Sequence, residues 1–463
     1  HQNMPGTNNH TLYVHAIVHD AMEPSGSTTF LNFNNCTNYG GNLLLSTPGG
    51  GCSSEATGIT AGHVGLMYAA ALQADLNPPM SAEEVRVILV ESADDINVPE
   101  AATDDSKFPS REGWDLHFGY GRNNARTSVD MILDGAIPPE SDITAPLWFE
   151  PINVATKKKI TVMGRVGARM DGLPARYADF DWTLEYAMGV DPVDGWTTIS
   201  TGKGALGGET PGVLAEWDVE AASKKIDYTV PIKDPHGWSA TLRLRVTTPN
   251  DGKPLKSEFR KTVHLINDPS LLPGYPLSAG ASVEGSGKVV DIDGDGSEEF
   301  IVVSTDGRVH ALRGDASEAP GFPALLAERG ENASIGGICA FRSDKTGCGP
   351  VTTVDKGVNR DWSMMGPAVG ALTGDVEDGL SIVVSSYDGN VYVFDHQGAL
   401  VPGWPQHANP DYTQDTTEER TVDTGFFGAP VLYDLDGDKD LEIIAACMDG
   451  YMYVWHHDGS PML

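Results

Sequence analysis

The tightest constraint on this chain is a register that recurs three times in its last third. One acidic loop opens at Asp291-Ile292-Asp293-Gly294-Asp295 and another at Asp434-Leu435-Asp436-Gly437-Asp438. An aspartate-glycine turn follows each loop start by 15 residues, at Asp306-Gly307 and Asp449-Gly450 (306 − 291 = 449 − 434 = 15). A third turn, Asp388-Gly389, points back by the same count to Thr373, where a degenerate copy begins. A second marker, Pro-Gly-aromatic-Pro, stands at Pro273–Pro276, Pro320–Pro323 and Pro402–Pro405. A fixed register through three copies predicts repeated four-stranded units, each too small to bury its apolar face alone and so stacked on its neighbours. The middle copy carries an insertion over about Leu326 to Asp361.

The loops also carry chemistry. Calcium takes six to eight oxygens, and alternate residues of a tight loop can aim carboxylates at one point. Asp291, Asp293, Asp295 and Glu299 fall at loop positions 1, 3, 5 and 9, with the Ser297 carbonyl at position 7. Asp434, Asp436, Asp438 and Glu442 repeat that spacing, with the Asp440 carbonyl at position 7. Both sets predict a Ca2+ site. In the middle copy Thr373 and Ser381 replace the acids at positions 1 and 9, leaving Asp375 and Glu377, which predicts weak calcium binding or none.

Charge narrows the function. The chain holds 31 Lys and Arg against 65 Asp and Glu, a net charge of −34 over 463 residues. That balance argues against binding of nucleic acid or an anionic membrane by charge. No run of about 18 apolar residues exists, which predicts no membrane span. No signal peptide is recognisable at His1. The cysteines Cys36, Cys52, Cys339, Cys348 and Cys447 form no zinc pattern. Cys36 with Cys52 and Cys339 with Cys348 are candidate disulfides, which would suit an extracellular protein. Cys447 lies in an apolar run and reads as a buried free thiol.

At the other end, Gly49-Gly50-Gly51 leads into Cys52-Ser53-Ser54-Glu55-Ala56-Thr57-Gly58-Ile59-Thr60-Ala61-Gly62, followed by a long apolar and small-residue stretch. A serine on the first turn of a helix meets free backbone N–H groups, which would stabilise an oxyanion formed by its attack. Ala56, Ala61 and Gly62 keep the helix thin, which predicts burial from many sides. Leu12–His19 reads as a buried strand, and Ser81-Ala82-Glu83-Glu84 as a capping box opening an amphipathic helix. Pro138–Asp142 reads as a linker by composition. The alternation in Ile160–Val162, Phe180–Tyr186, Trp196–Ile199 and Thr241–Val246 predicts strands, with Trp182 and Trp196 in their core.

The segment around Ser54 resembles the nucleophile motif of the subtilisin-like serine proteases, the subtilases, in which Gly-Thr-Ser-x-Ala-Thr-Pro-x-x-Ala-Gly carries the serine. Ser54, Ala56, Thr57, Ala61 and Gly62 match; Cys52, Ser53, Gly58 and Ile59 depart. Gly119-Tyr120-Gly121-Arg122-Asn123-Asn124-Ala125 is close to the signature near the end of that catalytic domain. The resemblance implies that Ser54 is the catalytic nucleophile and that the triad Asp and His lie upstream of residue 1. His63 is nine residues from Ser54 on one helix, roughly 13 Å of rise, and His10, His15 and His19 match no catalytic position. The acidic loops and Pro-Gly markers resemble FG-GAP/VCBS-type repeats, which build β-propellers in extracellular proteins.

The resulting expectation is a multidomain chain. Residues 1–138 are the C-terminal part of an α/β subtilisin-like catalytic domain, 139–268 an immunoglobulin- or fibronectin-like β-sandwich, and 269–463 three blades of a partial β-propeller. The function expected is that of a secreted, calcium-binding serine endopeptidase acting on protein or peptide substrate, its propeller open to a protein or glycan partner. The alternative is a non-enzymatic extracellular adhesion or interaction protein on a degenerate subtilase scaffold.

Overall fold

The computed structural model describes residues 11–18, 32–33, 38–49, 52–97, 108–169, 172–208, 210–229, 236–249, 254–328, 363–387, 389–409, 414–415, 420–421 and 425–462. His10, His19, Asp20, Cys36, Cys339, Cys348, Asp388 and most of the insertion at 326–361 lie outside the described residues, as does the side chain of Cys52. The chain is mostly β, with several sheets and few helices. It divides into two compact units, 7–269 and 270–463.

In the first unit the strand Val14–Val18 pairs in parallel with Leu45–Pro48, which runs toward helix α1 (Cys52–Gln73). Ala56, Thr60, His63, Met67 and Ala70 recur at intervals of three and four, so they share one face of α1, and all are buried. The opposite face is not covered: Ile59 is 44%, Leu66 56% and Leu72 83% exposed. The thin helix is therefore buried on one side, not on many. Helix α2 (Ala82–Glu91) opens with a complete capping box. The Ser81 hydroxyl accepts from the Glu84 N–H at 3.0 Å, and the Glu84 carboxylate accepts from the Ser81 N–H at 2.9 Å. Leu45, Met67, Val85, Ile88, Leu89 and, on helix α3 (Ala125–Leu133), Ile132 close one core.

Two sheets of the same unit face each other across a second core. One has the order Pro151–Asn153, Lys256–Ile266, Ser239–Thr247, Asp181–Met188, Thr197–Lys203; the other is Glu140–Ala145, Lys159–Gly167, Gly212–Asp218. Inward positions alternate along the strands, as a half-buried sheet requires: Leu184 and Tyr186, Leu242 and Leu244, Val162, Val166 and Trp217 meet in this core. Trp182 belongs to it, but Trp196 does not. Trp196 is half-buried beneath the Arg243 guanidinium, 3.6 Å from its ring centre, because its neighbours on the sheet are charged. The stretch read as a linker is also revised. Glu140, Ser141 and Asp142 lie on a buried strand. Partners distant in sequence make that burial tolerable: Ser81 Oγ donates to Glu140 at 3.1 Å, and Arg165 pairs with Asp142 at 2.9 Å.

The second unit is built from sheets that repeat. Lys288–Val290, Glu299–Ser304, Arg308–Leu312 and Ala324–Leu325 form a four-stranded antiparallel meander. Ala368–Gly370, Ser381–Ser385, Asn390–Phe394 and Gln406–His407 form the next. Val431–Tyr433, Glu442–Ala446 and Met452–Trp455 form a third of three strands. The middle sheet is buried on both faces. Ile382, Val384, Tyr392 and Phe394 pack with Ile301, Val303, Val309 and Phe322 of the first sheet. Val383, Val391 and Val393 pack with Ile443, Ala445 and Trp455 of the third. The Pro-Gly markers tie sheet to turn. Gly274, Gly321 and Gly403 have φ of 84°, 86° and 93°, and a Cβ there would lie 2.4, 1.9 and 2.2 Å from the carbonyl oxygens of Asp315, Gln397 and Asp458. Only glycine fits that approach, which is why the marker keeps it in every copy.

Candidate functional site

Ser54 lies on the first turn of α1 and is exposed. Its hydroxyl makes no hydrogen bond among the described residues. The Gly-Tyr-Gly segment runs beside the strand that precedes it: Tyr120 N–H donates to Leu44 at 2.8 Å, and Asn123 N–H to Ser46 at 2.9 Å. Gly119 and Gly121 have φ of 67° and 117°, and a Cβ would fall 2.4 Å from the Leu44 oxygen or 2.2 Å from that of Asp94. Asn124 caps α3 through the Thr127 N–H at 3.0 Å, and its amide donates to Asp94 at 2.8 Å.

His63 is 4% exposed and bridges α1 to this segment. Its Nδ1 meets Asn123 Oδ1, and its Nε2 lies 2.5 Å from Ser128 Oγ. Burial pushes its pKa down. His15 is buried too, with Nε2 2.6 Å from Ser46 Oγ, and burial pushes its pKa down to about 4. Serine and histidine also pair at Ser239 with His264 and Ser304 with His310. Ser46, Ser128, Ser239 and Ser304 are all buried, so no substrate carbonyl can reach them, and Ser54, which is exposed, has no such partner among the described residues. A nucleophile needs both access and a base; the described residues give Ser54 the first.

The acidic loops are nearly superposable in their bonding. Glu299 Oε2 accepts from Ile292 N–H at 3.1 Å, as Glu442 Oε2 does from Leu435 N–H at 2.7 Å. Asp291 accepts from Gly296 N–H at 2.9 Å, as Asp434 does from Lys439 N–H at 3.2 Å. Ser297 and Asp440 donate their N–H groups to Asp295 and Asp438 at 2.7 and 3.1 Å. Gly294 and Gly437 turn at φ of 75° and 85°, Gly296 and Lys439 both at 90°.

Carboxylate oxygens of Asp291, Asp293 and Asp295 lie within 4.8 Å of one another, as do those of Asp436, Asp438, Asp440 and Glu442. Asp440 thus brings its side chain to the group, where the sequence pointed to its carbonyl. Asp434 lies outside that group and accepts from the Gly437 and Lys439 N–H groups, as Asp291 does from those of Asp295 and Gly296. Glu299 and Glu442 are completely buried at the strand starts. Glu299 Oε1 and Asp440 Oδ1 are buried without a hydrogen bond. Burial, then the nearby Asp293 and Asp295, raise the Glu299 pKa. A hydrogen bond with Asp438 raises that of Asp440, and the same bond lowers that of Asp438. Crowded carboxylates with an unfilled oxygen are a donor set for a hard cation.

Beyond the loops themselves, the two copies differ at a register position 22 residues after the loop start (313 − 291 = 456 − 434 = 22). There Arg313 places Nη2 2.9 Å from Asp293 Oδ2 and Nε 3.9 Å from Glu299 Oε1. In the last loop His456 stands instead, its Nδ1 3.2 Å from Glu442 Oε1, with His457 against Asp440. Sequence reading overlooked both; counting past the hairpin turn to the next strand's end would have found them. In the degenerate copy, Asp375 accepts from Glu377 N–H at 2.9 Å and Thr373 Oγ1 donates to Asp378 at 2.8 Å, and no carboxylate group gathers among the described residues.

No family model matches the chain, and no curated protein matches it either. Among solved structures, BBS1N in complex with ARL6DN, soaked with mercury, is similar at 13% identity, over 67% of this chain and 69% of that one, with a TM-score of 0.22. Sqt1 of Saccharomyces cerevisiae is similar at 9% identity, over 68% and 84%, with a TM-score of 0.21. Scores this low carry no argument about this chain. Among the described residues no helix is long and apolar enough to cross a membrane.

Proposed function

We propose that this chain is part of a secreted subtilisin-like serine endopeptidase, with Ser54 as nucleophile and a calcium-bound, FG-GAP/VCBS-type propeller in residues 270–463. The reading is supported chiefly by one observation: of the two segments that resemble separate subtilase motifs, 52–62 and 119–125, the second is bonded through Asn123 to His63, the residue that follows the first on the same helix. In this reading Ser54 Oγ attacks the peptide carbonyl, and the first-turn N–H groups of α1 stabilise the oxyanion. An acyl-enzyme forms, which water hydrolyses. The histidine that takes the Ser54 proton, and the acid that orients it, are supplied from outside this sequence. The bonding shared by the two acidic loops supports the calcium assignment, with Asp291, Asp293, Asp295 and Glu299 as one donor set and Asp436, Asp438, Asp440 and Glu442 as the other.

The test is an upstream-extended chain assayed on a protein substrate and with a fluorophosphonate probe. Hydrolysis and labelling that both vanish in Ser54→Ala are expected. An extended, folded protein that is neither labelled nor active would replace the enzyme by the adhesion reading.

A further inference from the structure

We infer that the last acidic loop is a mixed nitrogen–oxygen site that takes a divalent transition metal of the zinc type through Asp436, Glu442 and His456, and that the first loop is not.

The donor atoms of these three residues lie within 4.8 Å of one another. They come from different elements: Asp436 from the turn, Glu442 from the start of the following strand, and His456 from just past the end of the next. Glu442 is fixed by the Leu435 N–H on one oxygen and turns the other to His456 Nδ1 at 3.2 Å. The strand register that pairs Ile443 with Trp455 places the imidazole beside this carboxylate. A centre about 2.1 Å from each donor draws such a set together with small side-chain shifts.

Imidazole nitrogen decides the metal class. Calcium takes oxygen only, whereas zinc and its neighbours favour imidazole beside carboxylate. Binding uses the Nδ1 lone pair, so the ring takes its Nε2–H tautomer and the Glu442 oxygen becomes a ligand where it was a hydrogen-bond acceptor. The exposed Asp436 leaves room for water to complete the shell. At the same register position the first loop has Arg313, which carries no lone pair and is already paired with Asp293. The degenerate copy has Asp395, engaged by the Gln397 and Ala399 N–H groups at 2.9 and 2.8 Å.

This inference goes beyond the calcium reading and shares Asp436 and Glu442 with it, so zinc and calcium compete for the last loop. The full chain is titrated with zinc chloride by calorimetry, with and without millimolar calcium, and with cobalt(II) as the absorbing analogue. One equivalent is expected whose affinity falls at least tenfold in His456→Gln, with loss of the cobalt band, and falls likewise in Asp436→Asn, which lies on an exposed turn and keeps the strands intact. Asp293→Asn leaves that equivalent unchanged. Zinc affinity equal in wild type and His456→Gln overturns the proposal, as does loss in His457→Gln alone. A chain that binds zinc in this way and no calcium would sink the calcium assignment and leave this site standing.

Discussion

Both units bury carboxylates, but they complete them differently. In residues 7–269, Glu84 is 1% exposed and answered on every side: Arg176 at 2.5 Å, Arg169 at 3.5 Å and the Ser81 N–H. In residues 270–463, Glu299 and Glu442 are as deeply buried, yet Glu442 gathers with Asp436, Asp438 and Asp440, and Glu299 feels the charges of Asp293 and Asp295. A buried charge with its counter-charges built in is a structural device. A buried charge facing like charges is a place for an added cation. Within the second unit the contrast recurs on a smaller scale, since the Arg313 guanidinium stands 2.9 Å from Asp293 in the first loop where the His456 imidazole stands 3.2 Å from Glu442 in the last.

The largest expected effect comes from removing the answered carboxylate. Glu84→Ala leaves two guanidinium groups buried without it and should cost about 3–5 kcal/mol. Urea unfolding of the first unit reads this; a loss under 1 kcal/mol would mean the cluster is solvated.

The same unit should respond to alkali. Lys261 is buried, donating to the Ile143 carbonyl, and burial pushes its pKa from 10.5 down to about 8. The folded state thus sheds this proton first, so stability is gained as pH rises from about 8 to 10.5 and lost as it falls again. The span of about 2.5 units corresponds to about 3 kcal/mol. Lys261→Met should lack that rise, and parallel pH profiles of the two proteins would refute the burial argument.

On the proposed calcium reading, calcium should separate the units directly. At a free concentration of 100 times Kd each occupied loop should stabilise residues 270–463 by about 2.7 kcal/mol, while Glu84 and its neighbours gain nothing. Thermal unfolding with calcium and then with chelator checks it; equal shifts of both transitions would erase the distinction drawn here. Asp375→Ala should leave calcium uptake unchanged.

Arg313→Gln removes the competing charge and should raise calcium affinity of the first loop about tenfold, about 1.4 kcal/mol. No gain on titration would show that the guanidinium yields without cost. The smallest effect is conformational. Lys439 holds a φ of 90° where the first loop uses Gly296, so Lys439→Gly should stabilise the fold by about 1 kcal/mol, read by unfolding in excess calcium.

Much of this was legible in the residues. The capping box at Ser81 and the acids of the two loops follow from local chemistry, in which each partner lies within a few residues, and the strands read at 180–186 and 241–246 follow from alternation along the chain although they pair with each other across more than fifty residues. The buried strand at Glu140 was not legible, because Ser81 and Arg165, which make its polar groups tolerable, are 59 and 23 residues away. Trp196 misled for a similar reason: an aromatic on an alternating strand looks like core until Arg243 is found over its ring.

The sequence by itself determined where the repeats begin, which carboxylates each loop holds and which serine opens a helix, since spacing along a chain sets turns and helix ends. The tertiary structure alone decided what those groups face. Ser54 is open while four other serines are sealed against histidines, and one loop meets a guanidinium where its twin meets an imidazole. The physical reason is that burial and counter-charge come from strands and helices brought together across the fold, and an electrostatic environment is a sum over neighbours in space.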